Sequence, residues 1–381
     1  MVETITADRL ADMIDEENRF TLIDTRQPDS YEAWHVPDAV NVPYDPDVGL
    51  GDDQYRTVED AATGDPIVAI CGKGMTSTAF ADELETRGHE VSVVDGGMEA
   101  WSTVYEVVTI PTKEDELVVR QIQRRAKGCL GYVVGSTSTD EAVVVDPTRQ
   151  IDQFEQAAHD AGLTIERVLD THVHADHISG GAALAEDLGV PYNLGDGARE
   201  RGVAYDFEPL SDGQTVDRHG VDIEVLSAPG HTTEMMNYLV DGELLLTGDT
   251  LFVDSVGRTE LQFGAGAADH GAELLYDTLH ETILGLPADT TVLPGHLSVS
   301  SDGRYVQGTP GDPVAARLGD LADDLELLQL DRESFVERLT RDAPEKPPNY
   351  ETVIAINRGT QTVGTESEAT ELELGPNNCA A

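Results

Sequence analysis

The sequence predicts two α/β domains in tandem: a parallel sheet with helices on both faces, then a unit whose strands mix hairpins with crossover helices. Three observations carry this expectation. The chain has 381 residues, more than one hydrophobic core usually serves, and 39% of them are hydrophobic, enough for two cores. Short apolar runs alternate with helical patterns through roughly the first quarter of the chain, the mark of a covered parallel sheet. A charged stretch containing Pro111 then breaks the rhythm, and hairpin signals follow.

In the first unit, 1–105, the strand-like runs are 21–24, 39–42, 66–70 and 91–94, and an amphipathic helix is expected over 76–87. Residues 106–117, with the charged run 113–116, are expected to be a linker. The second unit, 118–359, opens with runs at 131–134 and 142–145 and a helix after Ile151. Segments 235–240 and 243–246, turned at Asp241-Gly242, read as a hairpin. Leu318, Leu321, Leu325 and Leu328 recur at helical spacing and predict a packed terminal helix within 313–341. The stretch 360–381 is acidic, contains Gly and Asn, and is expected to be a disordered tail.

Charge excludes several partners. Asp and Glu number 73 against 24 Lys and Arg, a formal net charge of −49. Nucleic acid and anionic membrane surfaces would repel such a chain. The excess runs along the whole sequence, and the only lysines are Lys73, Lys113, Lys127 and Lys346, a pattern that fits adaptation to molar salt. There the Debye length falls to about 3 Å and self-repulsion is screened. Three scattered cysteines are too few for a disulfide framework, and neither a signal peptide nor a long apolar run is present. A soluble, cytoplasmic protein with no membrane partner is expected, its oligomeric state open.

Cys71 stands where the apolar run 67–70 ends and a helix begins, in Cys71-Gly72-Lys73-Gly74-Met75-Thr76-Ser77. Two glycines let successive N–H groups curl toward one centre, and the helix start adds partial positive charge. A thiol held there, with Lys73 helping, is expected to shift toward the nucleophilic thiolate, which makes Cys71 a catalytic candidate rather than a structural cysteine. Phosphatases that use a loop cysteine need an arginine six positions on, where this chain has Ser77.

The first domain resembles the rhodanese (sulfurtransferase) family over about residues 3 to 104. The resemblance rests on Asp24-Thr25-Arg26, Tyr31 to Ala39 with Asn41-Val42-Pro43, the cysteine loop, and Asp95-Gly96-Gly97-Met98-Glu99-Ala100-Trp101. It implies a persulfide carried on Cys71, with Lys73 and Thr76 binding thiosulfate; Gly72 replaces the arginine often found beside the cysteine.

Five histidines share one pattern, in which an apolar run ends and a ligand-type residue follows at once. The run 168–169 leads to His172-Val173-His174-Ala175-Asp176-His177, 225–226 to Gly230-His231, 244–246 to Gly248-Asp249, and 292–293 to Gly295-His296. Four strand ends of this kind bring five imidazoles and two carboxylates to one cleft, a metal-type donor set. His35, His89, His159, His219, His270 and His280 lack the pattern and are read as ordinary surface or core histidines.

This arrangement resembles the metallo-β-lactamase superfamily over about residues 118 to 300, which implies an αββα sandwich with metal at the edge of two sheets. In its thioester-hydrolysing glyoxalase II branch, His172, His174 and His231 would hold one zinc ion, and Asp176, His177 and His296 a second, with Asp249 bridging. In its persulfide dioxygenase branch a single Fe(II) would sit on His172, His231 and Asp249, leaving open positions for a thiol sulfur and O2. Gly257-Arg258-Thr259-Glu260 is similar to that branch's Gly-Arg-Thr-Asp, which implies that Arg258 engages the carboxylate of a small thiol. Lys346-Pro347-Pro348-Asn349-Tyr350 with Ile356-Asn357 is similar to its C-terminal segment, whereas Leu297-Ser298 departs from the acidic residue and Tyr common after the last histidine.

The expected function is therefore a bifunctional sulfur enzyme. An Fe(II) domain would oxidise a low-molecular-weight thiol persulfide with O2 to thiol and sulfite, and Cys71 would move sulfane sulfur, for instance onto the sulfite product to give thiosulfate. Two alternatives stay open: a hydrolase with one or two Zn(II), and a non-catalytic sulfur carrier.

Overall fold

The computed structural model describes residues 2–216, 220–264, 267–341, 346–377 and 379–380, so His219 lies outside the described residues. The first domain is a five-stranded parallel sheet of β1 (Glu3–Ile5), β2 (Thr21–Asp24), β3 (Val40–Asn41), β4 (Ile67–Ile70) and β5 (Val91–Val94), in the order β1-β5-β4-β2-β3. Alternation along β4 decides its two cores. Ile67 and Ala69 pack with Val58, Phe80 and Leu84 of helices Asp52–Ala62 and Met75–Thr86. Val68 and Ile70 pack with Leu10 and Trp101 of helices Ala7–Asp15 and Gly97–Trp101 on the other face. Burying Phe80 alone contributes roughly 1.5–3 kcal/mol.

The second domain holds two sheets face to face. One contains β6 (Tyr105–Ile110), β7 (Leu117–Arg124), β8 (Cys129–Ser136), β9 (Glu141–Val145), β10 (Thr164–Leu169), β11 (Tyr192–Gly195) and β12 (Glu208–Leu210). The other contains β13 (Thr215–Val216), β14 (Ile223–Ser227), β15 (Met236–Val240), β16 (Leu244–Gly248), β17 (Thr291–Pro294) and β18 (Ala316–Arg317). Leu130, Tyr132 and Val143 meet Val225, Tyr238 and Leu246 between the sheets. Helices Asp152–Asp160 and Gly181–Leu188 cover the first sheet with Phe154 and Leu184, and Ala268–Asp277 covers the second with Leu275. This is the αββα order of layers. The β15–β16 hairpin turns at Asp241 and Gly242, whose φ values of +48° and +65° suit that pair.

Three expectations need correction. The supposed linker 106–117 begins as a strand: β6 pairs with β7 from Tyr105↔Arg124 to Ile110↔Val119, with Val108 and Ile110 turned inward. Only the charged run after it is a turn, so the charge of 113–116 masked a period-two pattern just before it. The single terminal helix is three, Leu318–Asp324, Glu326–Gln329 and Arg332–Arg341, because Leu325 adopts an extended ψ of 107° while Leu318, Leu321 and Leu328 still bury one face. The described part of the acidic tail forms a strap: Thr365 caps the helix Glu366–Leu372, and Glu373 and Cys379 are buried. Its carboxylates find the arginines that compositional reading leaves out of account, with Glu373 2.7 Å from Arg149 and 3.1 Å from Arg124.

The domains are in contact. Ala126, in the β7–β8 turn, lies within a core of the first domain, and Arg125 pairs with Asp15 at 2.6 Å and stacks over Trp101. We place the division between them just before β6. Among the described residues no helix is long and apolar enough to cross a membrane.

Candidate functional site

The ends of β10, β14, β16 and β17 lead directly into the predicted ligand positions, so a cluster drawn from both sheets forms at their shared edge. The turn into Asp249 requires glycine: Gly248 has φ +46°, and a Cβ there would stand 2.5 Å from Thr171 Oγ1. His172, His231 and Asp249 offer donor atoms within 4.8 Å of one another, all buried. The imidazole of His172 donates from Nδ1 to Thr171 Oγ1 at 2.9 Å, and His231 donates from Nδ1 to the Arg258 carbonyl at 2.6 Å. Each ring is thus oriented from behind and keeps Nε2 for the cluster, the arrangement that metal-binding histidines use.

Asp249 Oδ2 lies 3.8 Å from His172 Nε2 and 3.5 Å from His231 Nε2, and neither Oδ2 nor His172 Nε2 has a hydrogen-bond partner. Buried polar atoms are rarely left this way, and an ion bound there would satisfy both. Burial holds His172 well below the ordinary histidine value, as the neutral imidazole a ligand must be. Burial works against the Asp249 carboxylate, yet His296, His231 and His172 outweigh it and lower its pKa.

The other predicted ligands fall into two further groups. Asp176, His177 and His296 gather with Cys129. Both ring nitrogens of His296 are engaged, Nδ1 with Asp249 Oδ1 at 2.6 Å and Nε2 with Asp176 Oδ2 at 2.8 Å. His174 is not part of the group of His172, His231 and Asp249, although its ring centroid lies 4.2 Å from that of His172: its Nε2 lies 3.2 Å from Asp146 Oδ1, it clusters with Asp146 and Asp170, and its buried Nδ1 has no hydrogen-bond partner. Burial opposes the charged form of His174, but Asp146 and Asp170 raise its pKa, whereas burial lifts that of Asp170 to about 6. Arg258 is buried and its Nε contacts Glu260 Oε1 at 2.5 Å, so the guanidinium is drawn toward its own segment.

In the first domain, Cys71 follows β4 directly and its Sγ accepts from Gly74 N–H at 3.2 Å and Ser77 Oγ at 3.3 Å. Gly74 caps the helix at φ +85°, which aims that N–H inward. Thr76 stands in the first helical turn. Lys73 departs from expectation: its Nζ turns to Glu99 at 2.8 Å and Glu371 at 2.6 Å, where the strap supplies the second carboxylate. One backbone N–H and one hydroxyl, rather than the ammonium, face the sulfur.

The description "Rhodanese-like domain" matches residues 6–103, and "Metallo-beta-lactamase superfamily" matches residues 124–296. Over 182 residues the chain is 30% identical to the persulfide dioxygenase ETHE1, mitochondrial, of Bos taurus, an overlap of 47% of this chain and 68% of that protein. The chain belongs to the metallo-β-lactamase superfamily. It is also 30% identical over 178 residues to the probable metallo-hydrolase YqgX of Bacillus subtilis, covering 42% of this chain and 81% of that one. Among solved structures, ETHE1 from Myxococcus xanthus superposes with a TM-score of 0.55 at 28% identity, over 64% of this chain and 99% of its own.

The superfamily domain also contains supporting residues that the sequence reading passed over. Asp146 accepts from Thr171 N–H at 2.7 Å and Thr171 Oγ1 at 2.8 Å, and it follows an apolar strand as the predicted ligands do, so the same pattern reveals it. Glu234 accepts from Val173 N–H at 3.1 Å. Asn357, noticed only as part of a similar segment, donates to the carbonyls of His174 and His177 at 2.9 and 2.8 Å. It fixes the histidine loop from outside. Cys129 and Cys379 join the donor groups with no local signal in the sequence.

Proposed function

We propose that this chain is a persulfide-oxidising metalloenzyme joined to a sulfurtransferase, with Fe(II) on His172, His231 and Asp249. One observation carries the reading. The three residues form a two-histidine, one-carboxylate group with unpartnered donors, and His174, which a dinuclear site needs beside His172, is not a member of that group. Likeness to persulfide dioxygenases supports the same choice.

When bound, iron would supply the activation of O2 and of the persulfide sulfur. The chain's own groups would hold that ion in a buried pocket, with Asp249 favoured as the carboxylate, His172 as the neutral ring and His231 oriented by the Arg258 carbonyl, and the Arg258 guanidinium would exchange Glu260 for the carboxylate of a small thiol. The reaction consumes one persulfide, one O2 and one water and yields one thiol and one sulfite with its protons. Sulfite accepting the sulfane sulfur of a Cys71 persulfide would leave as thiosulfate.

Two measurements test the halves separately. Iron-loaded protein is expected to consume O2 when a thiol persulfide is added; no uptake, with hydrolysis of an acyl-thiol by the zinc form, would select the hydrolase. Cys71→Ala is expected to lose thiosulfate:cyanide sulfur transfer, and the parent protein incubated with thiosulfate to gain the mass of one sulfur atom on the Cys71 peptide. Full transfer activity in that variant would remove Cys71 from its role. The hydrolase remains the second reading because Cys129, Asp176, His177 and His296 form another buried donor group, and YqgX is named a probable metallo-hydrolase.

A further inference from the structure

The strap carries a charge from the second domain to the cysteine loop of the first. Its helix, Glu366–Leu372, is fixed from the second domain: Arg149 donates from Nη2 to Thr370 Oγ1 at 2.6 Å and from Nε to Glu373 Oε2 at 2.7 Å, and Thr365 caps the first turn. Ser367 and Glu371 stand one turn apart and share a face of that helix. Both meet Lys73, whose Nζ lies 3.2 Å from Ser367 Oγ and 2.6 Å from Glu371 Oε1. A third partner of the ammonium, Glu99 at 2.8 Å, belongs to the first domain, where its N–H donates to the Gly72 carbonyl at 3.1 Å. Two carboxylates thus hold the one ammonium that lies two residues beyond Cys71 in the chain. Arg26, at the same edge of the sheet, is likewise committed, to Asp24 at 2.6 Å and to the Trp34 carbonyl at 2.7 Å. The loop therefore meets its substrate with one backbone N–H and one hydroxyl on the sulfur, and with Lys73 and Arg26 already paired.

We propose that Glu371 is a positioning residue that weakens the hold of the Cys71 loop on anionic sulfur compounds by withholding Lys73 from them, a proposal that rests on the sulfurtransferase reading above. Thiosulfate is a dianion. When the Cys71 thiolate attacks its outer sulfur, the sulfur–sulfur bond of thiosulfate breaks, the electron pair of that bond leaves on sulfite, and the outer sulfur stays on Cys71 as a persulfide. A free ammonium beside the loop would favour the binding of both thiosulfate and sulfite. An ammonium shared by two carboxylates instead leaves an excess negative charge there. Lys73 must exchange Glu371 for the anion, so the second domain, acting through the strap, makes the loop selective against dianions and in favour of less charged sulfur donors.

Steady-state sulfur transfer to cyanide by the full-length protein tests this. Glu371→Gln is expected to lower KM for thiosulfate about two- to fivefold, the range of an exposed charge pair, with kcat within about twofold of the parent. Glu371→Lys, which adds a cation, is expected to lower it further. Methanethiosulfonate carries one negative charge instead of two, and its KM is expected to fall less than that of thiosulfate. With Lys73→Met already in place, the effect of Glu371→Gln is expected to shrink to less than half, because the two residues act as a pair. An unchanged KM for thiosulfate in Glu371→Gln, an equal fall for both donors, or a fall that persists in full without Lys73 overturns the proposal while leaving sulfur transfer by Cys71 intact. A parent protein that transfers no sulfur overturns both.

Discussion

Asp249→Ala is expected to lose its metal and all persulfide-dependent oxygen uptake, while His174→Ala keeps the ion and most of the activity. The contrast follows from where the donors point. Asp249 faces His172 and His231 with one oxygen and His296 with the other, so removing it withdraws the only carboxylate of the triad and unties the second group as well. His174 stands outside the triad, with its Nε2 on Asp146. Loss of a residue that merely supports a ligand typically costs 10–100-fold in metal affinity, so loss of a ligand should exceed about a hundredfold. Metal content after dialysis, with oxygen uptake on the same samples, checks both variants. Asp249→Asn, which keeps the side-chain volume, separates metal loss from misfolding. A protein that binds about two zinc ions and suffers equally from either substitution would instead be the dinuclear hydrolase.

Glu373→Gln is expected to produce the largest loss of stability outside the hydrophobic cores. Glu373 and Arg124 are buried with no exposed side-chain area, and Arg149 is nearly so. Neutralising the acid leaves the buried Arg124 without its carboxylate and Arg149 with only the exposed Glu366, and breaking a buried pair typically costs about 3–5 kcal/mol. Burial opposes the charged form of Glu373, yet Arg124 and Arg149 outweigh it and its folded pKa is lowered. Its contribution is therefore present above the unfolded value, roughly 4.3, and lost as pH falls through the folded one. Denaturant midpoints of parent and variant should differ most near neutrality and converge in acid. Equal midpoints at neutral pH would show that the arginines find other partners.

The site and its surroundings differ in how far they could be read from sequence. His172, His231, Asp249 and His296 were legible because each follows its own strand, and a run of apolar residues ending in Gly or Asp and His is a local pattern. Cys71 was legible for the same reason, as a strand end followed by Gly-x-Gly. What escaped were pairings between residues far apart in the chain. The turn of His174 toward Asp146, of Lys73 toward Glu371, and the arrival of Cys379 beside Asp249 leave no periodicity to detect. The acidic end of the chain was misjudged because composition counts charges without saying which arginines, here Arg124 and Arg149, stand waiting within the fold.

The strap has a thermodynamic consequence. Leu374 packs against a core of the first domain, and the preceding residue, Glu373, is locked among arginines of the second. Neither unit can open without disturbing a segment that the other requires, so their stabilities are linked rather than additive. A metal ion bound only at the sheet edge of one unit then also protects the cysteine loop of the other, in proportion to how tightly that ion is held. The two proposed activities, assigned to separate centres, would thus draw on one common reserve of folding free energy.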